Sequence, residues 1–266
     1  MKIWHTVLIT FSCIPGYAQN ASGPRLSGMA SSGTSVSDVW SLQSNPATMV
    51  FHGTPIIALA YQKHILSDEL NTQSIAALLP FRRDFFGLTL RRYGFSAYHD
   101  SKLGLSYAKK LSPKFSLAFT INYHQIKVEN YSINSMYSVD AGLFYALSSA
   151  FSAGLSFRNP TALHKPSNEA NMNVTSAIDF GISYSASNKL MLVISIEQKV
   201  DHPAILQTGI EYSILKILSL RSGILLRPYT QHFGFGINIK KITFDVASTY
   251  TNALGYSPQI SVAYAF

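Results

Sequence analysis

The chemistry available to this chain is thin, and its few reactive groups are scattered. Eight histidines fall at positions 5, 52, 64, 99, 124, 164, 202 and 232, with no two at a metal-ligand spacing on one strand or helix. No GxSxG elbow, phosphate loop or zinc spacing occurs. His99-Asp100-Ser101 is the one neighbourhood that brings hydrolytic residue types together, but consecutive residues on a strand or tight loop point in different directions, so no triad is expected there. Cys13 is the single cysteine. No enzymatic activity, cofactor or metal is therefore expected.

The remaining polar candidates are charges inside apolar surroundings: Arg91, Asp140, Arg158, Asp179, Glu197, Glu211, Arg221 and Asp245. A hairpin turning at Lys216 sets Glu211 and Arg221 opposite each other, where opposite charges stabilise and a lone one is costly. This pair is read as structural first, with ligand binding as the alternative.

The elements that hold these charges follow from periodicity. The chain is 47% hydrophobic and only 13% charged, against about a quarter charged in ordinary soluble domains. Yet no internal apolar run approaches the ~18 residues of a spanning helix. In Phe115–His124, aromatic and aliphatic residues alternate with Ser116, Ala118, Thr120 and Asn122, and Phe233, Phe235, Ile237 and Ile239 alternate with small or polar residues. That pattern predicts strands with one face in lipid and one in a lumen.

Strand windows are predicted at 55–65, 72–81, 84–95, 102–110, 114–128, 136–147, 150–158, 174–185, 189–200, 204–214, 217–227, 231–239, 241–251 and 257–266. Fourteen is an even number, which brings both ends of the sheet to one side of a membrane. Every second connection is a tight turn, whereas the others include longer stretches at 127–135 and 159–173, expected on the outside. The last strand carries Ile260, Val262, Tyr264 and Phe266 on one face and closes the barrel against the strand beginning near Pro55.

Residues 1–18 read as a secretory signal: Lys2, an apolar core, and small residues before a cleavage site after Ala18. A lipoprotein signal at Cys13 is disfavoured by Thr10-Phe11-Ser12. Residues 19–54 are small, polar and turn-rich without alternation, and are expected as a hatch inside or beneath a barrel of residues 55–266. Its anchors are Asp38, Trp40, Asn45 and Pro46, although Asn45-Pro46 also fits simple turn capping. The net charge of +8 comes from Lys and Arg scattered over turns, which points to anionic lipid headgroups rather than nucleic acid.

Two stretches carry a family resemblance. Gly23-Pro24-Arg25-Leu26-Ser27-Gly28-Met29-Ala30 followed by Asp38-Val39-Trp40 and Asn45-Pro46-Ala47 resembles the N-terminal signature of the PorV/PorQ-like branch of the FadL outer-membrane superfamily. Ser101–Leu111 and Phe233–Asn238 are similar to strands of its Bacteroidetes members. The resemblance implies a fourteen-stranded outer-membrane barrel with a luminal hatch, and two kinds of function. One is an accessory or docking subunit of an envelope machine, such as type IX secretion or outer-membrane protein assembly, with other outer-membrane or periplasmic proteins as partners. The outer loop bearing His164, Lys165 and Asn173 is its expected contact. The other is passive transport of hydrophobic molecules, for which Gly87 and Gly94 predict a bulge or kink in the third strand. The short loops favour the first.

Overall fold

A computed structural model describes residues 23–64, 69–130, 133–160, 175–252 and 255–266. The expected signal at 1–18 and the loop residues His164, Lys165 and Asn173 lie outside the described residues. Fourteen strands form one closed antiparallel barrel, each paired with its chain neighbours and the first with the last. They are β1 Ile56–Lys63, β2 Asn71–Phe81, β3 Asp84–Phe95, β4 Tyr98–Lys110, β5 Phe115–Val128, β6 Ile133–Ala146 and β7 Phe151–Arg158. The second half comprises β8 Ala177–Ser185, β9 Leu190–Lys199, β10 Ile205–Leu215, β11 Leu218–Leu226, β12 Thr230–Ile239, β13 Ile242–Thr251 and β14 Gly255–Ala265. No helix among the described residues is long and apolar enough to cross a membrane.

Alternation decides which way each strand faces. Phe119 and Ile121 of β5 are exposed on the outer wall, while Ser116, Ala118, Thr120 and Asn122 are buried inside. On β14, Ile260, Val262 and Tyr264 point outward and Ser261 inward, and Ile56 to Gln62 pair with Ala265 to Gln259 to seal the sheet. A soluble fold would bury such a belt; here it forms the outside, as a lipid-facing barrel requires.

Two expectations about local structure are corrected. The strand windows left residues 96–101 as a connection, but β4 begins at Tyr98, because Tyr98–Asp100 pair with both β3 and β5. The stretch at 127–135, expected as a longer loop, is mostly strand: β5 runs to Val128 and β6 starts at Ile133. Both hairpins extend because their ladders keep register past the last large apolar pair.

The lumen is occupied by residues 23–50, and the segment folds as a short helix, α1 Pro24–Ser27, and two 3-10 helices, Val39–Gln43 and Pro46–Phe51. These helices are too short to hold themselves in water. The apolar side chains of this segment, Leu26, Met29, Trp40, Leu42 and Met49, are almost wholly buried and form one cluster with inward Ala58, Ala76, Ala108 and Ala118 of the wall. The small inner face of the strands is thus what makes room for a plug.

Candidate functional site: the plug and its ionic latch

Each hatch residue singled out by sequence has a local task. The Asp38 side chain caps the first 3-10 helix, accepting from the Trp40 backbone N–H at 2.9 Å. Asn45 caps the second, accepting from the Ala47 N–H at 3.1 Å, with Pro46 in its first turn. The Asn45 amide also donates to the Thr34 carbonyl at 2.8 Å and to the Leu143 carbonyl of β6 at 2.9 Å. One side chain therefore caps a turn and ties the plug to the wall. Trp40 is 1% exposed, and its indole fills the space that a side chain at position 23 would need.

Glu211 and Arg221 are directly opposed on β10 and β11, as the hairpin count requires, with Arg221 Nε donating to Glu211 Oε2 at 2.6 Å. The pair is part of a longer chain. Arg25 of α1 donates Nε and Nη2 to the two Glu211 oxygens at 2.9 and 2.8 Å, and its Nη1 reaches Asp38 Oδ2 at 3.1 Å and the Ser37 carbonyl at 3.0 Å. At the other end, Arg221 Nη1 donates to Asp245 Oδ1 at 2.6 Å. Asp38, Arg25, Glu211, Arg221 and Asp245 thus form a continuous latch from plug to wall, with a bidentate guanidinium–carboxylate contact at its centre. Arg25 was absent from the expected anchors because nothing local marks it; its partner lies 186 residues away.

Close approach completes the seating. A Cβ on Gly154 of β7 would overlap the Thr34 carbonyl, and one on Gly223 of β11 would come 2.6 Å from the Ala30 nitrogen. At these positions only glycine lets plug backbone lie against strand backbone. Near the short-turn end, Ser116 Oγ donates to the Ala47 carbonyl at 2.8 Å and Phe51 packs on Phe144 at 4.7 Å. His52 sits beside Ser37 at 3.1 Å. Burial lowers its imidazole pKa from the ordinary value; Asp38 opposes that shift and Arg25 adds to it.

A second ionic system lines the lumen toward the longer-loop end. Arg158 donates to Asp179 at 2.8 and 3.0 Å and pairs with Glu197 at 3.1 Å, which also holds Lys199 at 2.9 Å. Alongside, Asp140 receives Asn122 at 2.7 Å and Lys102 at 3.6 Å, and Arg91 pairs with Asp100 at 3.0 Å. Asp100 is thereby committed to the inner face. His99 instead contacts Arg92 at 2.8 Å on the outer face, so the His99-Asp100-Ser101 neighbourhood is split across the wall.

The third strand does not kink. Its pairing with β2 runs without a shift from Asn71 opposite Gly94 to Phe81 opposite Asp84, and its pairing with β4 is also continuous. The expected bulge at Gly87 and Gly94 is therefore absent: Gly87 instead makes room for Leu42 of the plug, and Gly94 takes a positive φ near the β3–β4 turn. A register shift occurs between Ser213 and Leu215 on β10. The wall does carry an apolar groove of about 500 Å³ on its outside, lined by Leu59, Ile75, Leu90, Ile260 and Val262. Behind it the inward side chains are Ser261, Ala60 and Ser74 on β14, β1 and β2, with Arg91 beside them on β3.

Solved structures share this architecture at low sequence identity. A TodX deletion mutant described as a monoaromatic hydrocarbon channel superposes with a TM-score of 0.70 at 10% identity, covering 91% of this chain and 98% of its own. The fold is that of FadL-type barrels. A Pseudomonas aeruginosa FadL homologue gives a TM-score of 0.68 at 11% identity, covering 92% and 98% of the two chains. The CymD monoaromatic hydrocarbon channel gives 0.68 at 12%, covering 92% and 97%. No protein-family model and no curated protein matches the chain by sequence. At such identities the likeness establishes the FadL-type fold alone.

Proposed function

We propose that this noncatalytic barrel resides in the outer membrane of a Gram-negative envelope and provides a gated, passive path for small hydrophobic molecules. The observation that carries this reading is the apolar groove on the lipid face, backed on β14, β1 and β2 by Ser261, Ala60 and Ser74, with Arg91 at its β3 side. Over β14, β1 and β2, a hydrophobic solute collected there is separated from the lumen by backbone and small side chains. The described form is closed, with an unbroken ladder and a seated plug, so passage requires the plug to shift and the wall beside it to yield. The fold shared with channels described as carrying monoaromatic hydrocarbons supports the same reading. No bond is made or broken: the protein's part is to lower the barrier to partition.

Proteoliposomes containing the protein should take up toluene faster than empty vesicles, and Arg25→Ala, which unlatches the plug, should be faster again. Equal rates for all three would overturn the proposal.

A second reading draws on the continuous wall and the charged upper lumen, which offer an apolar solute no open path. In it the barrel is a PorV/PorQ-like docking subunit of a Bacteroidetes envelope machine, with the loop carrying His164, Lys165 and Asn173 as its contact. Mild-detergent purification from native membranes distinguishes the two: stoichiometric envelope partners favour docking, and an isolated barrel active in toluene uptake favours transport.

A further inference from the structure

The short-turn rim carries a charge pattern that neither the plug nor the lumen uses. Arg82 and Arg83 lie between β2 and β3, Lys114 between β4 and β5, Lys189 between β8 and β9, Lys216 between β10 and β11, and Lys240 and Lys241 between β12 and β13. All seven are exposed, and none has an ion pair among the described residues. The acid within these turns and their flanking strand ends is Asp84, which is already held by Tyr107 at 2.6 Å and Lys109 at 3.6 Å. The opposite rim is mixed: Glu69, Glu129 and Asp201 stand among Lys63, Arg92, Lys127 and Arg227. Among the described residues, the excess of cations over acids is therefore greater on the short-turn rim.

We infer that this rim is a collar for the phosphates of anionic glycerophospholipids in the leaflet that the short turns face. On the membrane side of the cations lies a row of exposed aromatics, including Phe81, Tyr107, Tyr145, Phe151 and Tyr264. Aromatic rings settle at headgroup depth, and long basic side chains beyond them extend to the phosphate level. The Arg82 guanidinium, 5.9 Å from the Phe81 ring centre, shows the two layers in contact. Lipid fits better than an acidic protein because the cations occupy five of the six short turns around the circumference, the Ser148–Ala150 turn being uncharged. A folded partner would cover one sector, whereas an annulus of headgroups follows the whole rim. The collar rests on the membrane location proposed above, and is independent of what the barrel transports.

The test is electron spin resonance on the full barrel in phosphatidylcholine bilayers containing spin-labelled phosphatidylglycerol or spin-labelled phosphatidylcholine. Phosphatidylglycerol should associate roughly fivefold more strongly, about the attraction of one surface cation to an anionic leaflet. The preference should fall toward unity in R82Q/R83Q/K240Q/K241Q and, for the unaltered protein, in high salt. It should persist in K127Q/R227Q at the other rim, and soluble glycerol phosphate should not compete. No preference in an inserted barrel, an equal loss in K127Q/R227Q, or competition by glycerol phosphate would each overturn the collar. Failure to insert, seen as loss of heat-modifiable mobility in both lipids, would overturn the membrane location along with it. Binding of an acidic protein that displaces labelled lipid from the rim would reassign the surface to that partner.

Discussion

Two buried ionic systems stand at different heights in the same lumen and use the same side-chain types, but they join different things. The Arg158–Asp179–Glu197–Lys199 cluster connects neighbouring strands β7, β8 and β9, which the hydrogen-bonded ladder already holds together. The Asp38–Arg25–Glu211–Arg221–Asp245 chain instead crosses from a segment without strand pairing to three strands of the wall. Where backbone pairing already fixes geometry, a buried ion pair adds little beyond satisfying its own charges. Where it does not, the pair decides whether two bodies stay together. The lesson is that the mechanical worth of a salt bridge depends on what else spans the same gap.

Breaking both systems in parallel gives the largest expected contrast. Arg25→Ala leaves Glu211 and Asp38 short of a partner in a buried site and should weaken plug seating by about 3–5 kcal/mol. Planar-bilayer recordings should then show frequent openings, and protease added from the short-turn side should cleave within residues 23–52. Arg158→Ala should leave the closed state electrically silent, because the ladder around it survives. Equal leakage from both variants would remove the distinction.

A smaller effect sharpens the comparison through shape. Gly154→Ala places a methyl against the Thr34 carbonyl and should cost about 1–3 kcal/mol of plug seating by overpacking. Thermal unfolding of the wall should change little, while the protease sensitivity of residues 23–52 rises. Asn45→Ala should act in the same direction, by about 1–2 kcal/mol, through loss of a cap and of the bond to β6.

The smallest expected effect is on pH. Burial depresses the His52 pKa, so the seated plug favours neutral imidazole. That contribution is fully present above the ordinary histidine value of ~6.5 and is lost as pH falls through the lowered folded value. Acidification below pH ~6 should therefore raise opening frequency in single-channel recordings, and His52→Gln should flatten that response. An unchanged acid response in His52→Gln would place the sensitivity elsewhere.

Much of the barrel was legible because strand alternation is a local signal. Each window from β1 to β14 shows its lipid face within ten or so residues, and the short turns appear directly as Arg82-Arg83 or Lys240-Lys241. The opposition of Glu211 and Arg221 follows from counting residues about a tight turn. The extra length of β4 was missed because Tyr98–Asp100 lack the large-small alternation and are strand only through their neighbours. The kink expected in β3 failed for a related reason: Gly87 was read as a break in its own strand, whereas it clears space for Leu42.

The sequence by itself determined the strand number, the inward and outward faces, the capping role open to Asn45, and the Glu211–Arg221 register, because all of these depend on residues near one another in the chain. Only the tertiary structure decided that Arg25 completes the latch, that Gly154 and Gly223 are contact points for the plug, and that an apolar groove forms on the outside where the first and last strands meet. Those features arise from segments more than a hundred residues apart brought together by barrel closure. No periodicity or spacing encodes such distances; they are set by which strand ends beside which.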